Sequence, residues 1–174
     1  MARVLLLLLS AGPLWQSAQL EGMERARLKG NRTVQVPVTD MERARLKGIR
    51  TVRVLVENIA PEASGCDLTK EGLKAVASRQ LLDGGIKVIP NEPVTLDVLV
   101  TVMSTGGGRC AAFIKVETYE NVYAQLPHTT GAVFVSATLW EQGSLATGIT
   151  GEGIKGVVRN FVDEFVTTVK LANR

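Results

Sequence analysis

Residues 154–170, IKGVVRNFVDEFVTTVK, decide the fold. Ile154, Val157, Val158, Phe161, Val162, Phe165, Val166 and Val169 recur at helical spacing, while Lys155, Arg159, Asp163, Glu164 and Lys170 take the other side. Thr150 stands where a side-chain oxygen can cap the first turn. A helix with one such stripe has to lie on something, and burying eight side chains of this size is worth about 1.5 to 3 kcal/mol each. The spacing therefore predicts a carboxyl-terminal helix packed on a sheet that is apolar on one face.

The residues before it supply that sheet. In 95–103 Leu96, Val98, Val100 and Val102 share a face, and in 110–123 Ala112, Ile114 and Val116 oppose Lys115, Glu117 and Tyr119. Ser104 to Arg109, with Gly106, Gly107 and Gly108, reads as the hairpin between these strands. A glycine cluster can also cradle phosphate, but this one joins strand to strand with no helix amino terminus behind it. Leu126 to Gly131 is a second connection and Ala132 to Glu141 a last strand. Upstream, Val52, Val54 and Val56 alternate in a first strand, and 59–65 is a loop carrying Pro61, Ser64 and Gly65. A helix follows, capped by Asp67 or Thr69, with Leu73, Val76, Ala77 and Leu81 on its inner side and a left-handed exit at Gly84 and Gly85. Ile86 to Ile89 is a short strand closed by Pro90 and Pro93. The expected fold is α+β, a mostly antiparallel sheet of four to five strands with two main helices on one face.

Residues 23–40, MERARLKGNRTVQVPVTD, and 41–58, MERARLKGIRTVRVLVEN, are tandem copies that agree at thirteen of eighteen positions. Pro37 removes a ladder donor from the first copy, so the second is assigned to the sheet and the first to an edge or arm. Before them, Arg3 followed by the apolar run to Leu9 and then by Ser10, Ala11, Gly12 and Pro13 has the layout of a secretory signal peptide, with cleavage near Ala18. The organisation expected is a signal peptide over 1–18, a basic arm over 19–48 and one α+β domain over 49–174. The protein is then periplasmic or secreted. A lipoprotein is not expected, because the two cysteines, Cys66 and Cys110, lie far from the cleavage region.

In an oxidising compartment Cys66 and Cys110 are candidates for a disulfide, and two thiols alone do not make a tetrahedral metal site. The charge is uneven: 19–53 holds nine basic and four acidic side chains, whereas 54–174 holds ten and thirteen. Arg25, Arg27, Lys29, Arg43, Arg45 and Lys47 thus form a basic stretch suited to an anionic polysaccharide or lipid surface. No aromatic side chains interleave these charges, so nucleic acid is not an expected partner. Tyr119, Tyr123 and Trp140 form a candidate aromatic platform for a sugar ring or peptide.

No catalytic residue, metal site or cofactor is assigned. His128, the only histidine, sits between a proline and threonines with no partner to orient it as a base. Glu117, Glu120 and Glu141 lie near strand ends, where two carboxylates can meet as an acid and base pair; solvated strand positions explain them as well.

From Leu46 onward the succession RTVRVLVEN, DLTKEGLKAVASRQLLDGGIKVI, LDVLVTV, FIKVETYENV, ATLWEQG and VVRNFVDEFV resembles a group of uncharacterised exported bacterial proteins. Its element order also resembles the amino-terminal domain of TolB and the periplasmic part of CsgG. The resemblance implies export, an α+β fold and no assigned reaction. The expected function is a non-enzymatic envelope domain that binds a protein partner or assembles with itself along a strand edge or near Trp140. Polysaccharide or anionic-lipid binding through the basic arm is the alternative, and a carboxylate hydrolase a third.

Overall fold

The computed structural model describes residues 40–57, 59 and 61–174. The signal peptide over 1–18 and nearly all of the first repeat copy, with Arg25, Arg27 and Lys29, lie outside the described residues. The order of elements is α1 (Asp40–Leu46), β1 (Thr51–Val56), a 3-10 turn (Pro61–Cys66), α2 (Lys70–Asp83), β2 (Lys87–Val88), β3 (Val94–Gly106), β4 (Arg109–Gln125), β5 (Ala132–Ile149) and α3 (Gly151–Ala172).

The five strands form one sheet in the order β2-β1-β3-β4-β5. β1 pairs parallel with both β2 and β3, whereas β3–β4 and β4–β5 are antiparallel. The sheet is therefore mixed, which corrects the mostly antiparallel expectation. The cause is the helix between β1 and β2: a strand that returns beside its predecessor after a helical crossover returns parallel to it. β2 and β3 then flank β1 on its two sides, joined by Ile89 to Pro93. Among the described residues two long helices are present as expected, with α1 as a short third.

Thr69 caps α2, its side chain accepting from the Gly72 N–H at 3.0 Å, and Gly85 supplies the left-handed residue of the exit at φ +85°. Thr150 caps α3 in the same way, accepting from the Gly153 N–H. The stripe of α3 is buried as its periodicity requires, and Phe165, Ile154, Val158 and Val162 are wholly enclosed against Leu96, Val98, Ile114 and Val116 of the sheet. Val157 is only half-buried. The second repeat copy contributes to this core, because Leu46 of α1 is fully buried and the Gly48 N–H donates to the Asn173 side chain at 2.8 Å. Gly151 is required by close approach: a Cβ there would stand 2.0 Å from the Cys66 carbonyl oxygen. Among the described residues no helix is long and apolar enough to cross a membrane.

The last strand is longer than its alternation suggested. It continues past Glu141 through GSLATGI to Ile149 and leads almost directly into α3. Two register shifts against β4 leave Leu139 and Gly148 as extra residues on the β5 side.

Candidate binding surface

The helices cover one face of the sheet, and the other face is built from the alternate residues of the same strands. Across its middle runs a row set by register: Leu55 on β1, Asp97 on β3, Glu117 on β4 and Glu141 on β5 lie directly opposite one another in turn. Lys115 holds two of the three carboxylates, at 2.6 Å from Glu117 and 3.2 Å from Glu141. The hydrogen bond to Glu117, with help from Glu141, raises the Lys115 pKa. Asp97 is the buried member, and its Oδ1 has no hydrogen-bond partner. Burial first, then the neighbouring Glu57 and Glu117, push its carboxyl up to about 6. Beside it the Arg53 guanidinium donates to Thr95 Oγ1 at 2.8 Å.

Apolar side chains flank this charged row at both ends. Towards the β3–β4 turn, Met103, Phe113 and Leu145 are exposed, with Phe113 opposite Leu145 in the β4–β5 ladder. Towards the β4–β5 turn, Tyr123 and Phe134 are exposed and face each other with ring centroids 5.2 Å apart. Phe113 and Tyr123 are ten residues apart on one strand, about 34 Å. Beyond Glu120, the last β4 residue with a β3 partner, the β4–β5 hairpin continues as two strands alone.

The three aromatics of the expected platform do not come together. Tyr119 and Tyr123 belong to the open face, but Trp140 pairs with Thr118 on the covered face and packs on Phe165 at 5.5 Å. The extra residue at Leu139 shifts the phase of β5, which is why Trp140 turns inward. Arg43, Arg45 and Lys47 are exposed on and just after α1. Cys66 and Cys110 are joined in a disulfide across a sequence separation of 44, with Cα atoms 6.2 Å apart, and both are buried. His128 is exposed in the β4–β5 turn. Glu117 and Glu141 do meet across the ladder, but with Lys115 shared between them; Glu120 lies opposite Ala137 at the next level. A shallow depression of about 300 Å³ at this place is lined by Phe113, Lys115, Glu141, Gln142 and Gly143.

The sequence reading missed the buried Asp97 and the exposed Phe113, Phe134 and Leu145 as members of this face. Asp97 had a signal, a lone acid inside the apolar run LDVLV. The others required the register.

β5 is the outermost strand, and among the described residues nothing pairs with its second edge along the whole of Ala132–Ile149. The opposite edge is only the two residues of β2. No family model matches this sequence, and no curated protein matches it. Among solved structures the chain is similar to a PelC dodecamer from Paraburkholderia phytofirmans at 20% identity and a TM-score of 0.36, covering 70% of this chain and 86% of that one. It is also similar to a minor lipoprotein from Acinetobacter baumannii at 11% identity and a TM-score of 0.27, covering 71% of this chain and 93% of that one.

Proposed function

We propose that this is a non-catalytic exported domain that works by protein contact, adding a partner's strand to the free edge of β5. One observation carries the reading: an 18-residue edge strand with a single charged side chain, Glu141, and neither lysine nor proline. Edge strands that are not used are ordinarily short, charged or covered, as β2 is short here. A long edge that is unpaired among the described residues offers a row of backbone donors and acceptors that only another extended chain satisfies fully. The apolar pairs at its two ends supply side-chain contacts, and the Lys115–Glu117–Glu141 cluster between them supplies polarity. We read that cluster as binding chemistry, because both glutamates are tied to one shared lysine across the β4–β5 ladder. The buried disulfide supports assignment to an oxidising compartment.

The test is a photo-crosslinking amino acid placed singly at Ser136, Gly143, Lys87 or Arg79 of the full chain, in the cells that make it. The reading expects protein adducts from the two β5 positions and few from the other two. Equal yields at all four, or none from β5, would remove it.

A further inference from the structure

Resting on that strand-edge reading, we infer that the chain seated on β5 is β5 of a second copy, paired antiparallel about a two-fold axis between Leu139 and Trp140. Directly opposed residues of an antiparallel pair point to the same face, so a regularly alternating strand can pair with itself only about an axis through a residue. β5 is not regular. Its extra residue at Leu139 moves the outward positions from Ala132, Phe134, Ser136 and Thr138 to Glu141, Gly143, Leu145 and Thr147. That phase change makes the strand match its own reverse about the bond between residues 139 and 140, the midpoint of the stretch 132–147. Phe134 then lies opposite Leu145 of the second copy, Ser136 opposite Gly143, and Thr138 opposite Glu141, each contact occurring twice as a two-fold axis demands.

The side chains suit this arrangement. The exposed pair Tyr123 and Phe134 of one copy continues into Leu145 and Phe113 of the other, giving two four-strand apolar rows. These four residues are 76%, 61%, 74% and 42% exposed in the single chain, in the order just named. Covering them and the two strand edges in both copies removes on the order of 1,000 Å² from water, the size at which a specific interface becomes stable. Each Glu141 meets a neutral Thr138, so no like charges are opposed. The segment 122–140 contains no Asp, Glu, Lys or Arg, which leaves a charged partner nothing to pair with there and suits a second copy of itself. The product is a continuous ten-stranded sheet.

The experiment uses the oxidised full chain. Phe134→Cys and Leu145→Cys are purified separately and exposed to oxidant alone and mixed; opposed residues in such a pair stand within disulfide reach. The inference expects a covalent dimer from the mixture and little from either protein alone. It also expects the wild type to be dimeric by light scattering at about 100 µM, well above a micromolar Kd, with Phe134→Lys weakening the dimer at least about tenfold. Phe134 is exposed, so the folded monomer should melt as the wild type does, and Phe134→Ala is a milder second variant. A monomeric wild type, or single variants that crosslink as fast as the mixture, would overturn the inference. In cells, β5 adducts at twice the chain mass support it. Adducts to a different protein overturn it while the strand-edge reading survives, and no adducts overturn both.

Discussion

Asp97 is the residue whose surroundings have the plainest consequence. Its carboxyl titrates near 6 when folded and near the ordinary value of 3.8 when unfolded. The folded chain therefore binds the proton more tightly, and the contribution to stability is complete below about pH 4 and lost as pH rises through 6. The loss is on the order of 2 kcal/mol. Asp97→Asn is expected to stabilise the protein by about 1 to 2 kcal/mol at pH 7.5 relative to the wild type, and to give no such gain at pH 4; urea unfolding at both values measures the difference. An equal effect at both would show that the carboxylate is not strained by its burial. Gly151 is a second such residue. The backbone oxygen of Cys66 occupies the space a methyl would need, so Gly151→Ala should cost about 1 to 3 kcal/mol in the same assay. Phe165, fully enclosed and packed against Trp140 with the rings tilted, should cost about 3 to 5 kcal/mol when cut to alanine.

The Cys66–Cys110 bridge belongs to the scale of elements, tying the 3-10 turn to the start of β4. By the chain-entropy relation a closed loop of this length stabilises by about 4 kcal/mol, so the double alanine variant should unfold at markedly lower urea with an otherwise native spectrum. The elements themselves were legible wherever one face is buried and alternation or helical spacing is clean: α3, α2, β3, most of β4 and the Thr150 cap could be read directly, whereas Thr69 was one of two candidates to cap α2. What could not be read has physical causes. The parallel pairing of β1 was hidden because alternation within a strand says nothing of its neighbours, although a strand, helix, strand succession over 51–88 carries that information. The final stretch of β5 was obscured because an edge strand is paired on one side only, so Gly143, Ser144 and Gly148 are tolerated there and read as loop. Trp140 was grouped with the tyrosines because one extra residue at Leu139 reverses which face it takes, and no local composition announces a bulge.

For the whole molecule, the covered and the open faces of one sheet divide the work. The helix-covered face holds the fold together, and in the proposed function the open face with its long outer edge is the one that meets a partner. The two apolar ends and the charged centre of that face were invisible in the sequence because they are assembled from β3, β4 and β5 by register. The division predicts that substitutions on the two sides separate cleanly: Leu145→Lys should leave the melting temperature of the isolated chain nearly unchanged while reducing association, whereas Phe165→Ala should do the reverse. Hydrogen–deuterium exchange across a concentration series follows the β5 edge itself. Peptides spanning 132–147 should exchange fast in dilute solution and gain protection as concentration rises, with 51–57 and 86–89 unchanged. Protection of 132–147 that is already complete at the lowest concentration, or that appears at the β2 edge instead, would contradict pairing along β5.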